Sequence, residues 1–334
     1  MNININIINI FFNNLGFGVW RFFLAFLVAI SHLWSNMIHG PAAYAVWGFF
    51  VLSGFLMTLV LNEKYGFSKN GLLKYFFNRF LRIFPLYWLS CVIGIFVLLY
   101  SEIIIGISAK SLNPAFSFPT NALDVAYNIT LMPFIQSSNF LVPVSSALAI
   151  EVGVYILIPF LAVNRSTALF ALIISLIINL NYSIIVDTFI TRYTSFNTCL
   201  FAFAMGSSLY HYRDSLQAIK SPCLSIFAWL MHCLFWIKFP YYPWEAGLYV
   251  SVILSCWVIL SIFKTKENTL GVLLGNLSYP IYLIHTSIGI VLFPYFNSIR
   301  TFNFFLISFL LTLLVSLVMH FLFEKNIQRY KWKK

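Results

Sequence analysis

From Leu15 to Phe323 the sequence returns repeatedly to apolar runs of about twenty residues, the length that carries an α-helix across the roughly 30 Å hydrocarbon core of a bilayer. Such runs leave few options. No water reaches the core of a bilayer, so every backbone N–H and C=O there must be bonded internally, and a run of this length must be helical. Composition removes the soluble alternatives. Hydrophobic residues make up 61% of the chain and charged residues 9%, against about 45–50% and 25% in water-soluble domains. The runs predict spans near 15–35, 44–62, 82–101, 144–162, 167–186, 191–210, 222–238, 245–263, 272–293 and 301–323. The fold class expected is therefore all-α, a polytopic integral membrane bundle of about ten transmembrane helices. Residues 1–14, MNININIINIFFNN, lack the basic region and cleavage site of a secretory signal and are expected to be a retained tail. A single membrane domain is expected over 15–334. Within 102–143, LDVAYNITLMPFI is too short and too broken by Asn and Pro to span, and is expected to pack as a re-entrant or interfacial piece.

The formal net charge is +11, but its distribution speaks of topology rather than of a nucleic-acid partner. With the N-terminus inside, fifteen of the twenty Lys and Arg residues fall on the cytoplasmic side. Lys110, Arg192, Lys238 and Arg300 fall on the other side, and Arg21 lies inside the first span. The excess of basic residues on one side predicts cytoplasmic N- and C-termini. The five cysteines, Cys91, Cys199, Cys223, Cys233 and Cys256, show no C-x-x-C spacing and read as small core hydrophobes. No metal site is spaced convincingly, and neither a Gly-rich phosphate loop nor a G-x-S-x-G elbow is present.

An ionisable side chain at membrane depth costs on the order of 2.5–3.5 kcal/mol on insertion scales, so each is a functional candidate. Arg21 and His32 stand eleven residues apart in the first span, which at 100° per residue is three turns plus about 20° and puts both on one face. Their stripe would line a slot about 16 Å long. The plainer alternative is that Arg21 snorkels to the inner headgroups while His32 sits at the outer interface. Counted from the ends of their spans, Glu151 lies about 10 Å and His285 about 12 Å below the outer surface. His32, Glu151 and His285 would then share the outer half, where a carboxylate beside an imidazole holds the tautomer of a general base. The alternative for each is a structural hydrogen bond. His232 and His320 show no evident partner and, with His39 and His211 at loop edges, read as structural. Arg79 and Arg82, in FFNRFLRIFP before the third span, project at i and i+3 from one face. Two guanidinium forks suit phosphate oxygens, and a membrane anchor has the same composition.

At these residues the sequence resembles membrane-bound acyltransferase family 3, whose best-known members O-acetylate bacterial surface polysaccharides. WRFFLAFLVAISHLW resembles the family's first helix, with Arg21 and His32, and WGFFVLSGFLMT its second, with Phe50, Ser53 and Gly54. FFNRFLRIFPLYW carries R-x-x-R at Arg79 and Arg82, followed by Ile83, Pro85, Tyr87 and Trp88. SALAIEVGVYILIP is similar to the family's W-S-L-x-x-E-x-x-x-Y segment at Leu148, Glu151, Tyr155 and Pro159, and departs from it at Ser146 and Ala147, which stand where the family has Trp-Ser. LGNLSYPIYLIH resembles the ninth-helix motif at Ser278, Tyr279, Tyr282, Leu283 and His285, and Glu324 matches the terminal E-[KR] element.

The resemblance implies an integral membrane O-acyltransferase, in a bacterial cytoplasmic (inner) membrane, that moves an acetyl group from acetyl-CoA to a hydroxyl of a cell-surface or lipid-linked glycan. It implies His32, Glu151 and His285 as catalytic residues, Arg21, Arg79 and Arg82 as donor-binding residues, and acetyl-CoA, the glycan acceptor and the bilayer as partners, with no metal. His32 would act as general base or as the nucleophile that takes the acetyl group. A transporter or flippase would also use ten helices and a polar stripe, but it calls for alternating access at mid-membrane. An acyltransferase calls for a CoA anchor on one face and a base near the acceptor.

Overall fold

The computed structural model describes residues 15–37, 41–135, 137–185, 193–239 and 246–332. The expected tail 1–14, His39, Arg192, Lys333 and Lys334 lie outside them. Among the described residues a helix lies over each predicted span: α1 (Phe17–Leu33), α2 (Ala42–Val60), α3 (Lys69–Leu99), then a short α4 (Ala122–Thr130), α5 (Ser145–Leu161), α6 (Arg165–Ile185), α7 (Phe196–Tyr212), α8 (Pro222–Lys238), α9 (Gly247–Ile262), α10 (Thr269–Leu292) and α11 (Phe302–Met319). No strand is formed among them, only an isolated bridge between Phe116 and Phe140. Four helices, counted with the turns that continue them, are long and apolar enough to cross a membrane: Ala42–Tyr65, Lys69–Ile105, Thr269–Phe296 and Phe302–Tyr330. Others, among them Phe17–Leu33 and Gly247–Ile262, are apolar but shorter.

The chain divides into two compact units. One takes residues up to 27, 39–67 and 157–278; the other takes 28–38, 68–156 and 279–334. In the first unit α2 and α7 pack backbone to backbone. A Cβ on Gly54 would collide with the Phe203 carbonyl, and one on Gly206 with the Val51 carbonyl, so both positions need glycine for the helices to approach this closely. The contact is then sealed by Thr58, whose hydroxyl bridges Gly54 O at 2.8 Å and Ser207 Oγ at 2.9 Å. His232 donates to Gly247 O at 2.9 Å and stacks on Tyr44, and His211 donates to Ala162 O at 3.2 Å. Both are accounted for as structural groups.

In the second unit α11 is inside out relative to a helix in water. Ser308, Thr312 and Ser316 are fully buried, while Leu306, Leu310, Leu314 and Val318 are exposed. That arrangement is stable only if the outer face meets lipid. α3 starts thirteen residues before the predicted span, because Ser68 caps it by accepting from Gly71 N at 3.2 Å and Pro85 is absorbed within the helix. Arg79 and Arg82 therefore stand on the same unbroken helix as the span. The 102–143 segment folds around side chains rather than around a helix period. Asp124 accepts from Asn139 Nδ2 (2.8 Å), Ser137 Oγ (2.7 Å), Thr120 N (3.0 Å) and Thr120 Oγ1 (2.9 Å), and these bonds hold its carboxyl well below the usual range. Asn128 accepts from Leu141 N at 2.8 Å and donates to Asn139 O at 2.9 Å. α4, nine residues long, ends with Leu131 in the left-handed region at φ 52°, so it does not span, in keeping with the sequence expectation.

Candidate active site

The second unit brings two of the predicted residues into direct contact. His32 is the penultimate residue of α1 and half-buried; His285, in the middle of α10, is fully buried. His32 Nδ1 and His285 Nε2 are 2.8 Å apart. The ring planes differ by 3° and the centroids by 5.1 Å, so the rings meet edge to edge, with the hydrogen bond in their common plane. The neighbouring acceptor then fixes the proton positions. His285 Nδ1 lies 3.0 Å from the carbonyl of Ile281, which can only accept, so Nδ1 carries the hydrogen. In a neutral His285, Nε2 is then an acceptor, and the shared proton belongs to His32 Nδ1. This leaves His32 Nε2 with a free lone pair. A second imidazole stands where a carboxylate more often orients a catalytic histidine.

Around this pair the backbone is tightly tied. Arg300 donates through one Nη to His32 O at 3.4 Å and through the other to Leu112 O, and its own carbonyl accepts from Ser35 N at 2.9 Å. Tyr282, one turn before His285, donates to Val144 O at 2.9 Å.

The arginines form a second cluster in the same unit. The Arg79 guanidinium lies 5.6 Å over the ring of Tyr75 and 5.6 Å over that of Tyr155. Tyr155 donates to Glu151 Oε1 at 2.7 Å, one turn back on α5. Tyr279 donates to Ile83 O at 2.9 Å, next to Arg82. Glu151, Tyr155, Arg82 and Glu324 are all close enough to act electrostatically on Tyr279. Arg79 and Arg82 are half-buried, and guanidinium groups held beside aromatic rings have the chemistry to take an anion.

Glu151 thus stands with the arginines and not with the imidazoles, against the sequence expectation. The depth count assumed that α5 and α10 end level. Instead Tyr282 meets Val144 at the start of α5, while Tyr279 meets the field of Glu151, so the helices run antiparallel and α10 continues past the end of α5. Seven residues on one helix and three on the other separate Glu151 from His285, about 15 Å of helical rise. Among the described residues no three His, Cys, Asp or Glu side chains are arranged to hold a metal ion. Arg21 belongs to the first unit, where its guanidinium lies against the bare Cα of Gly275 on α10, and Glu267 accepts from Gly18 N at the start of α1. His320, which shows no partner in the sequence, bonds to Glu324 at 2.7 Å. Arg300 was readable only as an outer-side cation, since its partners are backbone carbonyls far away in the chain and leave no local pattern.

The family model described as an acyltransferase domain, that of acyltransferase family 3, matches residues 14–321. No curated protein and no solved structure matches the sequence.

Proposed function

The chain belongs to acyltransferase family 3, and on that premise we propose that it is an integral membrane O-acetyltransferase moving an acetyl group from acetyl-CoA to a hydroxyl of a cell-surface or lipid-linked glycan. The observation that carries the reading is the His32–His285 pair, which leaves one imidazole nitrogen unprotonated and fixed in direction. His32 Nε2 takes the proton of the acceptor hydroxyl as its oxygen attacks the thioester carbonyl. The resulting tetrahedral intermediate expels the CoA thiolate, which recovers the proton from His32. His285 stabilises the imidazolium by accepting from its Nδ1–H throughout.

Donor phosphates bind at Arg79 and Arg82, with Tyr75 and Tyr155 packing the Arg79 guanidinium and Glu151 orienting Tyr155. From Tyr279, beside Arg82, to His285 is six residues of α10, about 9 Å of rise, a span that an extended pantetheine arm covers. The helices cross the membrane about ten times with both termini in the cytoplasm, in a bacterial inner membrane. Helices of 16 or 17 residues rise only about 25 Å, and are accommodated by local thinning of the bilayer.

The test is mass spectrometry of surface glycans from cells carrying the wild type, His32→Ala or no gene, at matched membrane protein levels. Loss of acetyl groups with the gene, and equal loss with His32→Ala, is expected. Unchanged glycans in the deletion, or near-normal acetylation by His32→Ala, would sink the proposal.

A further inference from the structure

The imidazole that is to act as a base sits at the last turn of its helix, where fraying is easiest. The last four carbonyls of a helix have no intrahelical partner, and the partial negative charge of the helix end collects there. His32 is the penultimate residue of α1, and its carbonyl is one of these four. Arg300, 268 residues away in sequence, supplies the missing donor. Three features make this more than a surface contact.

First, the tie is double. The guanidinium donates to His32 O while the Arg300 carbonyl accepts from Ser35 N, so one residue holds both sides of the α1 terminus. Second, the second Nη donates to Leu112 O and thereby joins the helix end to the 102–143 segment. Third, the apolar side chains next to these carbonyls are seated on α10. A Cβ on Gly289, one turn beyond His285, would come within 2.6 Å of Leu33 and 3.0 Å of Leu112, so both side chains close over the bare glycine. Two successive non-glycine residues, Asn297 and Ser298, adopt left-handed backbone at φ 53° and 57° in the turn that delivers Arg300. Such conformations cost free energy and persist where surrounding contacts impose them.

We propose that Arg300 is a positioning residue for the acyl transfer: it caps the end of α1 and locks it to Leu112, and so holds His32 in the plane of His285. The proposal rests on the reading of His32 as the base. Arg300 touches neither donor nor acceptor in this scheme; it acts through the His32 backbone, and its charge also lies close enough to be felt by the imidazole. The geometry needs a fork. Lysine at 300 keeps the cation for the helix end but reaches one carbonyl instead of two, so it restores part of the function.

The experiment uses the full-length chain as wild type, Arg300→Gln, Arg300→Lys and His32→Ala, with [14C]acetyl-CoA as donor and membranes of the producing cells as the source of acceptor. Turnover per folded molecule in Arg300→Gln is expected to fall about 10–100-fold, the scale set by an ångström-sized misplacement of a catalytic group. The acetyl-CoA concentration for half-maximal rate stays unchanged, and Arg300→Lys falls between. A second measurement needs no turnover: modification of His32 by diethyl pyrocarbonate in purified protein, followed by peptide mass spectrometry, should be several-fold faster in Arg300→Gln. Turnover per molecule equal to wild type, with the deficit confined to protein amount, overturns the proposal, as does unchanged His32 reactivity in both Arg300 variants. An active His32→Ala would instead remove the reading on which it rests, and is distinguishable because it does not depend on residue 300.

Discussion

Replacing His285 with leucine tests the imidazole pair more sharply than any change at His32, because it leaves the proposed base in place. His285 is fully buried, so an apolar side chain of similar size suits the site, and Ile281 O keeps its intrahelical bond when the imidazole donor is lost. The cost to stability is confined to the bond between the rings. A neutral hydrogen bond contributes about 0.5–1.5 kcal/mol net, and leaving the His32 Nδ1–H without an acceptor costs about 1–3 kcal/mol, so the protein should still insert and accumulate. The cost to catalysis is larger. With no acceptor in the plane 2.8 Å from Nδ1, His32 loses both its orientation and its tautomer. General-base assistance contributes roughly 10²–10⁴-fold, and a substitution that imposes the wrong tautomer in a Ser-His-Asp triad reaches about 10⁴. His285→Leu is therefore expected to lower the transfer rate by about 10²–10⁴ with the acetyl-CoA dependence unchanged. His285→Asn, whose amide oxygen can accept from Nδ1, should recover part of the loss. The assay is initial-rate transfer of labelled acetyl from acetyl-CoA at matched protein levels. A rate for His285→Leu within about threefold of wild type would refute the tautomer argument.

Two further outcomes are expected. Arg79→Ala and Arg82→Ala should each weaken acetyl-CoA binding about tenfold or more, from the loss of charge-assisted bonds of roughly 1.5–3 kcal/mol. An unchanged acetyl-CoA concentration dependence in both purified variants would return these residues to the role of membrane anchors. Single cysteines at positions 69 and 331 in a cysteine-free background should resist an impermeant thiol reagent in intact cells and react once the membrane is opened, because the proposed topology, drawn from the charge distribution, has both in the cytoplasm. Labelling of either from outside would invert the topology.

What was legible in the sequence and what was not divides along one physical line: hydropathy and period report on a helix by itself, while register between helices is set by contacts that leave no period. The helices were legible because a run that must satisfy its own backbone in lipid has one solution, and α8 covers Pro222–Lys238, the residues predicted. The depth count puts His32 and His285 together in the outer half, but their bond joins residues 253 apart, and no spacing in the sequence reports such a contact. Glu151 was misplaced because depth was measured from helix ends that are staggered. The signal that would have corrected it is Tyr282, whose hydroxyl needs a buried acceptor and finds the carbonyl of Val144. In 102–143, Asn128 is, with Pro133, a reason to expect no span. It is also a joint of the segment, since its side chain accepts from Leu141 N and so replaces a ladder bond that neither helix nor strand supplies there. In a chain with so few polar side chains, each buried one must find a partner or be costly. A more productive sequence rule for such proteins would therefore treat every polar interruption of an apolar run, tyrosines included, as a contact still to be assigned, and set the helix register by pairing these before counting depth from the ends.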